Sequence, residues 1–320
     1  MRLMIVLLLV LLPGKLFAIS VLAPEHVLLS MQRAVLQQSF QGSFSYQHGE
    51  DFSSYRIWHQ AANNEEGRGR ERLLRLDGAV QELLREDDKT LCASSRLQQA
   101  LPLNGYIQQA LNLEKLQSGY VIGFAKSSQA RVAGRKTWVL TFMPRDKNRH
   151  AMELYVDTET YIPLKATLLN ERGQMLENVQ FLSFTEDAPT AQDLTPSSAC
   201  LPVTQSAPAS AEFAGNPWQL LHLPSGFYLQ AIEHSEKPLV DGWQTHLIYT
   251  DGLARFSVFL EPLQGDRREI SPYQFGSTTV VSRNRHFAGA DWMVTVVGEI
   301  PSTTAGFIAL SIDYAPSASP

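Results

Sequence analysis

Two cysteines and eight histidines are the side chains of this 320-residue chain best suited to ligate a metal or attack a substrate, and neither set is spaced for that work. His26, His48, His59, His150, His222, His234, His246 and His286 stand singly. There is no His-Glu-x-x-His metal signature and no Gly-x-Ser-x-Gly nucleophile elbow. A phosphate-cradling glycine loop and a dinucleotide fingerprint are missing too. The chain therefore reads as a non-enzyme with no metal site and no cofactor. Two cysteines alone cannot complete a zinc site. Cys92 and Cys200 make an even pair, which in an oxidising compartment forms a disulfide more often than two free thiols, provided the backbone brings them within reach. Arg68, Arg70, Arg72 and Arg75 form a basic run, but Glu65, Glu66 and Glu71 interleave with it. That pattern reads as a solvated strand and loop in preference to an anion or lipid-headgroup contact.

The elements that must position these residues are mostly strands. From Met152 to Phe184 three apolar-alternating runs are separated by Asp157–Thr160 and Asn170–Gly173. Period-two alternation marks strands with one buried face, and Asp, Asn and Gly supply the turn chemistry. The stretch predicts a three-stranded antiparallel meander. Leu154, Val156, Leu164, Ala166 and Leu168 fall on its apolar face, and Trp138, Leu140 and Phe142 continue that face on a preceding strand. On the residues alone, the face either closes as a core or lines a pocket, with equal claim. Residues 24–39 predict a helix whose apolar stripe runs through Val27, Met31, Ala34 and Val35. Residues 97–117 predict short helices, and Asp77-Gly78 a hairpin turn. Two strands are expected at Tyr120–Lys126 and Ala130–Val132. A closing helix capped by Ser302 is expected over Ser302–Ile312.

Length alone favours two domains. At 44% hydrophobic residues the chain can build real cores. Its 27 Lys and Arg against 32 Asp and Glu give a net charge of −5. Without residues 1–18, which hold Arg2 and Lys15, 25 cations face the same 32 acids and the charge is −7. Such a chain has no global pull toward nucleic acid. Arg2, the apolar run Leu3–Leu12, Pro13-Gly14 and the small residues Ala18 and Ala23 read as a secretory signal peptide over 1–23, too short for a membrane span. An uncleaved anchor is the alternative, and the absence of a nearby cysteine excludes a lipid-modified one. A first domain is expected over 24–186. A Pro-, Ser- and Ala-rich linker follows over 187–216, and a second domain over 217–320.

Particular motifs carry a family resemblance. Tyr155-Val156-Asp157-Thr158-Glu159-Thr160, continuing through Pro163 to Gly173, resembles the core hairpins of the MucB/RseB family. Leu76-Asp77-Gly78 and Leu103-Asn104-Gly105 fit as well. In the second domain the likeness covers Trp218, Leu223–Phe227, Tyr249–Val258, Val294–Pro301, Thr304-Ala305 and Ile308-Ala309. It spans the chain in order, with departures at 59–70 and 261–276. The resemblance implies an α+β protein: a large unclosed antiparallel β-barrel with helices in its mouth, of the LolA/LppX kind, followed by a smaller α/β domain. It implies a periplasmic negative regulator of the envelope-stress sigma factor (sigma-E or AlgU type). Such a protein binds the periplasmic domain of a membrane anti-sigma factor of RseA/MucA type, shields it from regulated proteolysis, and is released by lipopolysaccharide or a lipid-like signal. A homodimer is left open. The alternative is a periplasmic lipid or lipoprotein carrier, which would not need the second domain.

With the resemblance, the apolar face of Trp138, Leu140, Phe142, Leu154, Val156, Leu164 and Leu168 becomes the candidate acyl-chain cavity. Tyr249, Asp251, Arg255 and Phe256 are the candidate partner anchors, since aromatic and Arg residues dominate interfaces. Taken singly, Phe256 reads more readily as core and Asp251 as a turn former than as partner anchors. The tether is expected to let the two domains close on a partner segment, which a fixed interface would not require.

Overall fold

The computed structural model describes residues 22–62, 69–87, 89–94, 112–203, 216–236, 243–263 and 271–315. The expected signal peptide up to residue 21, the loop at 63–68, most of the helical stretch expected over 97–117 and the heart of the expected linker, 204–215, lie outside the described residues.

Helix α1 (Pro24–Gln37) opens on Pro24, where the missing N–H is no loss, and buries Val27, Leu28, Met31, Ala34 and Val35. It ends as Gln38 turns extended. There follow β1 (Phe40–His48), β2 (Asp51–Gln60), β3 (Arg70–Arg75), β4 (Glu82–Glu86) and β5 (Lys89–Ala93). A short helix α2 (Leu113–Gly119), capped by the Asn112 side chain on the Lys115 N–H, leads into β6 (Tyr120–Val132). Next come β7 (Arg135–Pro144), β8 (Ala151–Asp157), β9 (Pro163–Leu169), β10 (Met175–Thr185) and the two-residue β11 (Leu201–Pro202). All eleven strands join one antiparallel sheet, β11-β5-β4-β3-β2-β1-β10-β9-β8-β7-β6, whose end strands do not pair with each other. The barrel is open.

The meander stands in register. Leu154 faces Leu140 on one side and Ala166 on the other, and Thr167 faces Asn178. Asp157 Oδ2 accepts from the Thr160 N–H and hydroxyl, while Asn170 Oδ1 accepts from the N–H groups of Arg172 and Gln174. Gly173 takes φ +73°, which only glycine adopts freely. Residues 120–132 form one strand where two were expected, because a bulge between Phe124 and Gln129 absorbs the irregular stretch without ending the pairing.

Two other expectations change. The described part of the Arg run is ion-paired: Arg70 with Glu86 and Arg72 with the fully buried Glu82 across β3 and β4, and Arg75 with Asp77 in the turn that follows its strand. Residues 187–203, linker-like in composition, run against the first domain and add the two-residue β11 to its sheet. Ser197 donates to Glu82 from both N–H and hydroxyl, β11 pairs with β5, and Cys200 is bonded to Cys92 with their Cα atoms 5.3 Å apart. Prolines and small residues are as usual in a tightly laid edge segment as in a tether, so composition alone could not separate the two.

The second domain is a six-stranded antiparallel sheet, β13-β14-β15-β18-β17-β16, with one helix on it. Its strands are β13 (Tyr228–Glu236), β14 (Trp243–Thr250), β15 (Arg255–Pro262), β16 (Tyr273–Phe275), β17 (Thr278–Phe287) and β18 (Ala290–Gly298). Helix α3 (Ser302–Ser311) packs Ala305, Ile308 and Ala309 onto the core of Leu247, Val258, Val281 and Val296. Pro301 occupies its cap position and no side chain caps it, so Ser302 is the first helical residue and not the cap. A ribbon of β12 (Trp218–Leu220) and β19 (Ile312–Tyr314) closes the domain.

Candidate functional site

The proposed acyl-binding face is filled. Leu140, Phe142, Leu154 and Val156 are buried under Val27, Leu28 and Met31 of α1 and Leu116 of α2, and Leu164 lies under Ala34 and Val35. Trp138 and Leu168 are half-buried at its margin, the Trp138 ring 5.1 Å from that of Tyr161. The void beside Leu168 measures about 10 Å³, room for a single water. An open depression of about 600 Å³ beside α1 has a mixed lining, Ser30, Arg33, Gln37 and Gln38 with Ala34 and Tyr161. An acyl chain could reach the apolar face only if α1 lifted away.

The partner anchors are redistributed. Tyr249 and Phe256 are core residues, stacked at 5.0 Å and 12° between rings. A strand's alternation shows that two residues share a face but not which face meets solvent, and here it is the inner one. Arg255 is exposed. Asp251 does form the turn, accepting from Leu253 and Ala254 N–H, but it is buried for a second reason.

That reason is Arg149. It stands in the β7–β8 loop of the first domain, only 1% exposed, and its Nη1 donates to Asp251 Oδ2 of the second domain at 2.6 Å. Nη2 donates to the Ser225 carbonyl and to Asp146 Oδ2, and Nε to Asp146 Oδ1. The guanidinium lies over the rings of Tyr120 and Phe227, at 5.3 and 4.8 Å. Gly119 gives it room, since a Cβ there would overlap the guanidinium. Beside it, Lys115 sits 3.3 Å over the Tyr228 ring. Burial raises the pKa of the Asp251 carboxyl, against the pull of Arg149 and the two N–H groups. The domains therefore meet across a built junction, not an open hinge. Nothing in the loop sequence Arg145-Asp146-Lys147-Asn148-Arg149 marks its last arginine as buried.

Elsewhere on the seam Glu177 and His150 lie buried with no ion pair among the described residues. Glu177 of β10 accepts from the Ser277 hydroxyl of the second domain, with the Tyr46 phenol also acting on it. His48 and Phe275 pack next to them, 4.8 Å between rings. His150, beside the void with Leu253, Ala254 and Glu299, has no hydrogen-bond partner on either ring nitrogen among the described residues. Burial pushes Glu177 up to about 7 and His150 down to about 4.

These shifts act in opposite senses. Between pH 4.5 and 7 folded Glu177 holds a proton that the unfolded chain releases, so its contribution is full at low pH and is lost as pH rises. Between pH 6.5 and 4 folded His150 stays neutral while the unfolded chain protonates, so stability is lost as pH falls. At about 1.4 kcal/mol per unit, each sums to roughly 3 kcal/mol. Glu177→Gln should therefore gain stability, relative to wild type, as pH rises from 4.5 to 7, and His150→Asn should gain it, relative to wild type, as pH falls from 6.5 to 4. Urea melts at pH 5, 6 and 7.5 measure this. Curves that stay parallel to the wild type would contradict it.

Comparison with known proteins covers both domains. Residues 23–199 match the MucB/RseB N-terminal domain and residues 212–313 the MucB/RseB C-terminal domain. The chain is 40% identical over 277 residues, 86% of each chain, to the sigma factor AlgU regulatory protein MucB of Pseudomonas aeruginosa. It is 27% identical over 304 residues, 91% of each, to the sigma-E factor regulatory protein RseB of Escherichia coli K12. The complex structure of P. aeruginosa MucA/MucB superposes with a TM-score of 0.79 at 38% identity, over 92% of this chain and 99% of that one. A crystal structure of MucB in complex with MucA(peri) gives 0.77 at 39%, over 92% and 100%. A crystal structure of MucB gives 0.67 at 37%, over 91% and 98%.

Proposed function

The chain belongs to the MucB/RseB family, and from that membership we propose that it is a periplasmic negative regulator of an envelope-stress sigma factor, acting by binding the periplasmic part of a membrane anti-sigma factor and shielding it from proteolysis. The observation that carries this reading is the likeness, through both domains, to MucB in complex with MucA, with TM-scores of 0.77 and 0.79 against 0.67 for the crystal structure of MucB. Among the described residues no helix is long and apolar enough to cross a membrane.

The second domain and the cleft it forms with the first hold the partner in this reading. Arg255 is the one sequence-derived anchor exposed for contact. A protease needs its substrate as extended, accessible backbone, and a segment laid in a cleft offers none. The buried Arg149–Asp251 contact ties the second domain to the first. In an assay with the anti-sigma factor's periplasmic segment and its site protease, the protein should slow cleavage. Truncation before residue 217 should restore it. Equal cleavage with and without the full protein would refute the reading.

A lipid signal would act from the other end. An acyl chain gains about 0.8 kcal/mol per buried methylene. To displace α1 it must replace the burial of Val27, Leu28, Met31, Ala34 and Val35, which takes most of a long chain. Binding of a fluorescent acyl probe should therefore open α1 to trypsin at Arg33. A protein that binds no such probe, or binds it with α1 still protected, would remove the lipid from the account.

A further inference from the structure

Helix α3 contains no charged residue. Its inner face is buried on the sheet, yet Phe307 and Leu310 on the outer face are 53% and 52% exposed. A helix apolar on both faces is ordinarily buried on both. The turn after β12 extends the bare surface with Leu221 and Leu223, 57% and 37% exposed. The Leu221 N–H donates to the Ser311 carbonyl, and the His222 ring lies 5.6 Å from that of Phe307, so turn and helix form one patch.

The other border of α3 is the Arg149 loop. Thr304 Oγ1 donates to the Lys147 carbonyl at 3.4 Å, which sets that loop against the helix's first turn. Arg145 and Lys147 are exposed there. The Nε of Arg145 is anchored on the carbonyls of Gln117 and Tyr120, and the acid between the two cations, Asp146, is turned inward to Arg149. An uncharged apolar patch thus has a cationic rim.

We propose that α3, the Leu221–Leu223 turn and the β7–β8 loop form a docking face for an anionic phospholipid bilayer. Apolar side chains carried on a helix and a turn enter the headgroup boundary, while flanking cations meet lipid phosphates. A protein interface also sets an apolar core within a polar rim; here the exposed rim includes the cations Arg145 and Lys147, which complement lipid phosphates. Neither the void beside Leu168 nor the depression beside α1 is lined by any residue of this patch. The inference stands apart from the anti-sigma reading, which concerns the cleft.

Co-sedimentation with phosphatidylglycerol/phosphatidylethanolamine vesicles, against phosphatidylcholine vesicles, tests it. The wild type should pellet with the anionic vesicles and release at high salt. F307D/L310D should weaken partition roughly a hundredfold. R145E/K147E should weaken it by about 25-fold or more, since each cation near such a surface is worth about fivefold. All four side chains are exposed. Because Arg145 also donates to the Gln117 and Tyr120 carbonyls, K147E alone, expected to weaken partition about fivefold, is compared at unchanged melting temperature. A wild type that stays in the supernatant overturns the proposal, as does F307D/L310D pelleting like wild type. So does a loss on F307D/L310D of self-association or anti-sigma binding with vesicle binding intact, which assigns the patch to a second copy or to the protein partner.

Discussion

Arg149→Met should destabilise the protein by about 3–5 kcal/mol, the range for removing one member of a buried ion pair. The substitution keeps the aliphatic packing against Tyr120 and Phe227 but deletes every donor. Asp251 then remains buried with its two backbone N–H donors and the neighbouring Tyr120 phenol but no cation, and the Ser225 carbonyl loses its partner. Adding Asp251→Leu should recover most of the loss, because a buried pair replaced by apolar groups is often close to neutral. A double-mutant cycle in urea reads both numbers. The single variant should also give a wider spread of domain distances in solution scattering. A single-variant loss under about 1 kcal/mol, the scale of an exposed pair, would show that the junction is not built as described.

Losing the disulfide should have an effect of similar size. The bond closes a 108-residue separation, for which chain entropy predicts about 4–5 kcal/mol before any native-state relaxation. Cys200→Ser should also loosen the edge it fastens, where β11 lies on β5 and Ser197 supplies donors to the buried Glu82. Urea midpoints with and without reductant measure the stability term. Thiol titration of the unfolded, unreduced protein should find no reactive group, and two thiols there would contradict the pairing.

Local order was legible in the sequence where neighbouring residues determine it. The meander follows from alternation plus Asp157, Asn170 and Gly173, and α1 from its apolar spacing. What spans long distances was not. Arg149 and Asp251 are 102 positions apart, and Glu177 and Ser277 are 100, so no window along the chain shows either contact. Tyr249 and Phe256 illustrate a different failure: their alternation is the same whether the face they share is core or surface. Gly119 and Gly226, which give Arg149 and Ser118 their space, carried no turn signal strong enough to single them out. The family motifs bridged part of this gap, because they tie distant segments together in order. They reach the fold and the kind of partner but name no contact residue.

The central claim is that the docked two-domain unit captures the periplasmic part of a membrane anti-sigma factor. Isothermal titration of the full chain, without residues 1–23, with that purified periplasmic part tests it most directly. Saturable binding is expected, lost when residues 217–320 are deleted and weakened in Arg149→Met. Folded full-length protein that yields no binding heat and no complex, or a first domain that binds as tightly alone, would contradict the account.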